Sequence, residues 1–158
     1  MKKINWIKLL LCIAICEGVG FLSGLLSGNE REFFNSLIKP PLSPPGILFP
    51  IVWTILYALM GISLYFVLTS KRGSYLEHRS ALIYFALQLA VNFSWSIVFF
   101  KAQSLIGGLF VILLLDLLVL ITMVKFKGIN KLSFLLLIPY LLWILFATYL
   151  NIGFVILN

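Results

Sequence analysis

The side chains with the most useful chemistry are aromatic rings and amides spaced at helical intervals. Asn92, Trp95 and Phe99 recur at steps of three and four residues, and Gln88 lies one turn before them. They therefore share one face of a predicted helix. Amides are costly in lipid, so this face must turn toward protein or a water-filled cavity. Hydrogen bonds between helices and contacts with a ligand both explain such a face, and the spacing leaves the two open.

Two further aromatic faces suggest the same chemistry. Trp53 and Tyr57 lie one helical turn apart, although an aromatic belt at the membrane surface would also place them there. Trp143, Ala147 and Leu150 share another face, where the small Ala147 leaves room beside the indole for a large flat ligand. Tight packing between helices would use the same small residue, so this interpretation also stays open.

Other kinds of catalytic or metal chemistry have no support in the residues. His78 is the single histidine, no triad is arranged, and no spacing is typical of a metal site. Cys12 and Cys16, one turn apart, are interpreted as packing residues. Glu17 and Asp116 are isolated carboxyl groups in apolar segments without a basic partner, which favours structural hydrogen bonds over a proton relay.

The elements that must position these residues are membrane-spanning helices. With 62% hydrophobic residues, 11% charged residues and a mean hydropathy of +1.12, the chain cannot hide its apolar surface in one soluble core. We expect an all-α integral membrane protein, a single domain over residues 1–158 with five helices. The helices are predicted at about 7–27, 47–69, 79–100, 104–124 and 133–156, each near the ~20 residues that span a bilayer. Pro139 predicts a kink in the last one.

The net charge of +7 reflects topology and not nucleic-acid binding, because the basic residues are scattered between apolar segments without a contiguous patch. Nine of the twelve lysines and arginines fall in or beside the N-terminus and the second and fourth breaks between segments. The positive-inside rule therefore predicts a cytoplasmic N-terminus, with the Pro-rich loop and the C-terminus outside.

The first segment begins like a signal peptide, but Cys16-Glu17 is a poor cleavage site and the apolar run continues beyond it. We therefore interpret it as a retained helix. Gly20 and Gly24 in this segment, and Ala86 and Ala90 in the third, are pairs of small residues four positions apart. Such pairs predict close helix packing, and the alanine pair is a candidate dimer contact.

Five of the six prolines lie within residues 40–50, from the end of the longest break into the start of the second apolar segment. Each proline fixes φ and removes a backbone donor, which predicts a stiff, extended or turning loop from Lys39 to Phe49. Pro50 fits the first turn of the next helix. Apolar residues at near-helical spacing within 33–38 predict a short amphipathic helix before the prolines. The connection is interpreted either as a lid over the helices or as an anchor on the membrane surface.

Taken together in chain order, these residues carry a specific resemblance. The residues concerned are Lys39-Pro40, Pro44-Pro45, Pro50, Trp53, Tyr57, Gly61, Asn92, Trp95-Ser96, Phe99-Phe100, Asp116, Pro139-Tyr140, Trp143, Phe146-Ala147 and Asn151. Nearly the whole chain thereby resembles the TspO/MBR family, the family of the tryptophan-rich sensory proteins, translocator proteins and peripheral benzodiazepine receptors.

The resemblance implies a five-helix bundle in membrane lipid, commonly a homodimer, that binds porphyrins such as protoporphyrin IX and isoquinoline carboxamide or benzodiazepine-type drugs. The ligand-binding residues that it implies, beneath the first loop, are Lys39, Pro44, Pro45, Trp53, Tyr57, Asn92, Trp95, Phe99, Trp143, Ala147 and Leu150. Light-dependent degradation of porphyrins has been attributed to the family. The resemblance therefore implies catalytic roles for Trp53 and Trp143, and it implies no required cofactor or metal. The implied location is a bacterial cell membrane.

Two departures from the family pattern stand out. Phe33-Phe34 occupies the place of a frequent Trp-Tyr pair, and Leu42 lies near the place of a tryptophan or another aromatic residue, so the lid loses a hydroxyl group and stacking surface. Tyr149 is followed by no lysine or arginine, which leaves the cholesterol-recognition pattern of some relatives incomplete. We predict no specific sterol site.

Two functional hypotheses follow. The first is a membrane receptor in which aromatic faces sandwich a flat porphyrin-like macrocycle, while Asn92 or groups of the loop orient its polar edge. The alternative is a tetrapyrrole transporter or a flux-regulating scaffold protein. Alternating-access transporters typically show internal repeats with paired broken helices, and the sequence shows neither.

Overall fold

The structure of the protein, a computed structural model, describes residues 4–28 and 30–158. Five helical stretches are long and apolar enough to cross a membrane, as predicted for an all-α integral membrane protein. The helices are α1 (Trp6–Ser27), α2 (Glu30–Ser36), α3 (Leu48–Thr69), α4 (Tyr75–Ser96, prolonged by a π-helical turn, Ile97–Lys101), α5 (Leu105–Ile129), α6 (Lys131–Leu136) and α7 (Ile138–Leu157).

Helix caps decide where the third and fourth spans begin and end. α4 begins at Tyr75, earlier than the predicted residue 79, because Ser74 and Glu77 form a capping box. α5 begins after Ser104, whose Oγ accepts a backbone N–H of the first turn at 3.1 Å. It continues past the predicted residue 124 to Ile129, since a basic side chain in its last turn suits the negative end of a helix.

The fifth span is broken where the sequence predicts a kink. α6 ends at Leu136 and α7 begins at Ile138, with Pro139 in the first turn, where its missing N–H is tolerated. The side chain of Asn130 caps α6 by accepting a backbone N–H at 2.8 Å. The helix is thus interrupted at the place where the sequence predicts a kink.

The connection between the first two spans consists of α2 and the non-helical residues 37–47. The predicted short helix is present as α2, although it begins and ends a few residues earlier. In the non-helical part, Ser43 N–H donates to the Pro40 carbonyl at 3.3 Å and closes a turn. Leu42 in this turn has a φ of 66°, a left-handed conformation that costs an L side chain about 1–2 kcal/mol.

This turn is fastened to the last helix. Tyr149 Oη donates to the Pro41 carbonyl at 2.9 Å, and Asn158 exchanges hydrogen bonds of 2.9 and 3.1 Å with the backbone of Ile38. The Pro40 ring rests on Gly153, where an added Cβ would lie 2.5 Å from Pro40 Cβ. The Pro-rich segment is therefore held by the C-terminal half of α7.

The spans pack most extensively in three pairs, α1 with α3, α4 with α5, and α5 with α7. The larger of two buried clusters contains the free thiols of Cys12 and Cys16, which confirms their interpretation as packing residues. The smaller cluster reaches α2 and consists of Phe34, Trp95, Phe99, Ile112, Ala147, Leu150 and Phe154. α3 and α7 make little contact with each other.

A candidate ligand cavity

A cavity of about 650 Å³ opens between α1, α3 and α4 on the side of the bundle that carries α2. Its volume lies within the ~300–1,000 Å³ typical of sites for drug-sized ligands. The lining residues are Glu17, Gly20, Phe21, Ser23, Gly24, Leu25, Gly28, Phe34, Gly46, Phe49, Pro50, Trp53, Thr54, Tyr57, Asn92, Trp95, Ser96 and Phe100.

The wall of the cavity is aromatic. Trp53 projects into it from α3, and Trp95 from α4 is stacked on Phe99 with ring centroids 5.2 Å apart and planes 18° apart. Phe34 and Phe49 meet edge to face at 5.3 Å where α2 approaches the start of α3. Such rings offer flat faces and edges for stacking against an aromatic ligand.

The floor of the cavity is a chain of buried hydrogen bonds that joins α3, α4 and α7. Tyr57 Oη donates to Asn92 Oδ1 at 3.1 Å, and Asn92 Nδ2 donates to Tyr140 Oη at 2.8 Å. Tyr140 Oη donates in turn to Gln88 Oε1 at 2.8 Å, and Gln88 Nε2 lies 3.9 Å from Met60 Sδ. The two amides face protein, and Asn92 faces the cavity as well, as their cost in lipid requires.

One carboxyl group lines the floor. Glu17 projects from the middle of α1, and the residues that the structure describes give it no hydrogen-bond partner. The structural hydrogen bond predicted for Glu17 is therefore not found, because this side chain faces the cavity. Gly28 lines the other end of the cavity, and at 1.5 Å per residue the two positions are about 16 Å apart along the helix. The cavity is thus long enough for an extended aromatic ligand.

The mouth of the cavity lies near a cation. Lys39 Nζ is 4.6 Å from the centroid of the Phe34 ring and donates to Asn35 Oδ1 at 3.3 Å. Phe34 lines the cavity, so this ammonium group lies one side chain away from the entrance. The mouth and the floor therefore carry opposite formal charges.

The structure brings part of the predicted binding set together. Four of its residues line the cavity, namely Trp53, Tyr57, Asn92 and Trp95. Three others are packed with Trp95 in the smaller buried cluster, namely Phe99, Ala147 and Leu150. The remaining ones, Lys39, Pro44, Pro45 and Trp143, lie outside the lining.

Trp143 lies on the opposite side of α3. It lines an apolar groove of about 420 Å³ between α3 and α7, where these two helices separate. Its ring centroid is 5.9 Å from that of Phe49, which lines the cavity. The two predicted catalytic indoles therefore do not face the same space, because Trp143 lines the groove and contacts Phe49 without lining the cavity itself.

Sequence reasoning missed the contribution of α1. Gly20 is a close contact, because an added Cβ would collide with the Tyr57 ring, whereas a Cβ at Gly24 would meet nothing within 4 Å. The small-residue pair therefore predicts packing correctly at Gly20 and marks open cavity at Gly24. Glu17, Gly20 and Gly24 lie three and four positions apart, and this shared face is the signal that places α1 at the site.

Asp116 does not line the cavity. Thr148 Oγ1 donates to Asp116 Oδ2 at 2.8 Å, which confirms the predicted structural hydrogen bond. Within the described ranges, four buried polar atoms have no hydrogen-bond partner: Asp116 Oδ1, Asn151 Oδ1 and the indole Nε1 atoms of Trp95 and Trp143. Trp95 lines the cavity with its ring, while its indole N–H is buried and without a partner.

The fold and the cavity define a class, the helical integral membrane proteins that hold an aromatic-walled cavity within their bundle. Comparison with known proteins gives the family. The TspO/MBR family model matches residues 12–157, and the chain is 40% identical over 155 residues to the tryptophan-rich protein TspO of Chlorobaculum tepidum, with 96% of each chain covered. It is 38% identical to the tryptophan-rich protein TspO of Archaeoglobus fulgidus, over 98% of this chain and 99% of the relative. It is 34% identical to the translocator protein of Ovis aries, over 84% of this chain and 79% of the relative. The chain belongs to the TspO/MBR family.

Proposed function

We propose that the protein is a membrane receptor that binds porphyrins such as protoporphyrin IX, and isoquinoline carboxamide or benzodiazepine-type drugs, in the cavity between α1, α3 and α4. The observation that carries the proposal is the cavity itself, about 650 Å³ in volume with indole and phenyl rings along its wall and polar groups at its floor. A flat macrocycle stacks between Trp53 and Trp95, and burial of its apolar faces supplies the main part of the binding energy.

The Pro-rich segment supports a role as the lid of this cavity. Lys39 lies over Phe34 at the mouth, and Gly46 lines the cavity directly. The turn at Pro40–Ser43 is held by α7, so the lid is stiff and attached at its far end. A ligand enters between α1 and this segment.

Light-dependent degradation of the bound porphyrin is a subordinate part of the proposal. A photoexcited porphyrin stacked on Trp53 exchanges electrons with the indole in direct contact or forms reactive oxygen beside it from dissolved dioxygen, and dioxygen is the oxidant that degradation of the macrocycle consumes. Trp143 contributes through Phe49, at a centroid distance of 5.9 Å, and is therefore the weaker partner. We expect illumination to bleach protoporphyrin IX more slowly in Trp53→Phe than in Trp143→Phe at matched occupancy.

The test is a titration of protein in lipid nanodiscs with protoporphyrin IX, followed by the absorption spectrum of the porphyrin. We expect saturable binding that Trp53→Ala weakens about tenfold, the equivalent of 1.4 kcal/mol of stacking and burial. Trp6→Ala is the matched control, because Trp6 lies at the start of α1 with 64% of its surface exposed. Equal affinities of Trp53→Ala and wild type would contradict the proposed site.

The predicted orientation, with the mouth outside a bacterial cell, has its own test. A cysteine introduced at Gly46 lines the mouth, and one introduced at Gly128 lies at the opposite end of the bundle. We expect a membrane-impermeant maleimide to label intact cells that carry Gly46→Cys and not those that carry Gly128→Cys.

The exposed Ala86 and Ala90 on α4 remain the candidate contact of a homodimer.

A further inference from the structure

We infer that the floor of the cavity is an acceptor site, which takes ligands that present an N–H donor or a protonated nitrogen at their leading edge. This inference rests on the proposed function, since it concerns the same cavity, and it adds a further chemical class of ligand and the orientation in which charged ligands enter.

The first support is the direction of the hydrogen bonds beneath the floor. Tyr57 donates its only hydroxyl proton to Asn92, Asn92 donates to Tyr140, and Tyr140 donates to Gln88. The last two steps lead from Asn92 to Tyr140 and Gln88, which do not line the cavity. A tyrosine whose proton is committed in this way presents only the lone pairs of its oxygen to a ligand. The Tyr57 hydroxyl is therefore an acceptor on the cavity side.

The second support is Glu17, which lies at the same end. Its carboxyl group lines the floor and has no hydrogen-bond partner among residues 4–28 and 30–158 as the structure describes them. The described lining of the cavity contains no lysine, arginine or histidine that would neutralise it. A carboxylate in so apolar a surrounding gains most from a donor that the ligand brings.

The other end of the cavity has the opposite character. The Lys39 ammonium group lies over Phe34 at the mouth. A cationic donor thus lies at the mouth and acceptors at the floor. An amphipathic tetrapyrrole would enter with its carboxylate side chains trailing toward Lys39, because Glu17 repels them from the floor.

Two flat probes of matched shape test the inference in nanodiscs of phosphatidylcholine, with empty nanodiscs as the blank: 9-aminoacridine, which is cationic, and acridine-9-carboxylate, which is anionic. We expect the wild-type protein to bind 9-aminoacridine more tightly than the carboxylate. Glu17→Gln should weaken the binding of 9-aminoacridine about tenfold and leave the binding of acridine-9-carboxylate unchanged or tighter. Asp116→Asn is the control, because it removes a carboxyl group from another span without altering the cavity lining. It should leave the ratio of the two affinities as in wild type.

An affinity ratio that is the same in Glu17→Gln and in wild type would overturn the inference, as would a wild-type protein that prefers the anionic probe. The second outcome needs no variant, so the test survives a Glu17→Gln protein that does not fold. Parallel titration with protoporphyrin IX separates the two proposals. Loss of porphyrin binding with an intact acridine ratio contradicts the porphyrin proposal alone, and normal porphyrin binding with an unchanged ratio contradicts only the acceptor floor.

Discussion

The two ends of the contact between α1 and α3 use glycine in opposite ways. An added Cβ at Gly61 would lie 2.5 Å from the Cα of Ile13, so the backbones of the two helices touch there. Toward α2, a Cβ at Gly24 would meet nothing within 4 Å, and the helices diverge around the cavity. One helix pair is therefore closed at one end and open at the other.

The closed end has a second fastening. Ser63 Oγ donates to the Ser133 carbonyl at 2.8 Å, and Ser133 Oγ donates to the Ser63 carbonyl at 3.0 Å, so α3 is tied to α6 by a reciprocal pair. Both side chains are fully buried. Close packing and satisfied polar groups at this end allow the other end to stay apart without collapse. The closely packed half of the bundle therefore keeps the helices of the other half apart around the cavity.

Among the substitutions that test this difference between the two ends, Gly61→Ala should lower the stability of the protein most. The added methyl group meets backbone atoms of α1, which cannot move aside as a flexible side chain does, and overpacking of this kind costs about 1–3 kcal/mol. Gly24→Ala is the matched control and should stay within about 0.5 kcal/mol of wild type. Thermal unfolding in one detergent measures both. Equal stabilities of the two variants would mean that the closed end is not held by backbone contact.

Filling the open end should weaken ligand binding without lowering the stability of the protein. Gly24→Leu places an isobutyl group in the cavity, and we expect protoporphyrin IX to bind at least about tenfold more weakly, which corresponds to 1.4 kcal/mol. Gly128→Leu is the control, since a Cβ at Gly128 also meets nothing within 4 Å and this position is far from the lining. Normal porphyrin affinity in Gly24→Leu would exclude this cavity as the site.

The floor between the two ends can be loosened by Tyr57→Phe. The variant keeps the ring but removes the donor to Asn92 Oδ1. The buried oxygen then lacks a hydrogen-bond partner, which lowers the free energy of unfolding by about 1 kcal/mol. Tyr84→Phe is the control, because the described residues offer its hydroxyl group no hydrogen bond. The difference in unfolding temperature between the two variants measures the effect. A Tyr57→Phe protein as stable as Tyr84→Phe would show that the chain of hydrogen bonds does not stabilise the floor.

The smallest effect is expected at the lid. Gly153→Ala pushes the Pro40 ring away from α7, because the new methyl group would lie 2.5 Å from Pro40 Cβ. We expect the lid to loosen and bound protoporphyrin IX to leave about threefold faster, a change of under 1 kcal/mol. Gly18→Ala, where an added Cβ meets nothing within 4 Å, should leave the rate unchanged. Stopped-flow dissociation distinguishes the two, and equal rates would show that the segment does not close the cavity.

Much of the fold is predictable because a bilayer imposes one length and one polarity on every span. Apolar runs therefore locate the five helices, and Pro139 locates the break in the last. Helix ends are less predictable, since capping residues such as Ser74 add a turn beyond the apolar run. Asn92 is found at the cavity and Gln88 beneath its floor, because amides are costly in lipid and require a protein or cavity surrounding.

The side of each helix that meets the cavity is harder to predict. Gly20 and Gly24 look alike in the sequence, yet one touches Tyr57 and the other borders empty space. Trp143 repeats the pattern of Trp53 but lies across α3, where Phe49 separates it from the cavity. Helical spacing specifies which residues share a face and not what that face meets.

The membrane class, the number of spans, the family pattern and a set of residues that avoid lipid can therefore all be inferred from the amino-acid sequence. The folded bundle shows in addition that α1 forms one wall, that Glu17 shares the floor with Tyr57 and Asn92, and that the lid is fastened to α7. These features escape prediction because hydropathy and caps act within one helix. A cavity arises between helices, at the point where their backbones, closely packed at one end, diverge at the other.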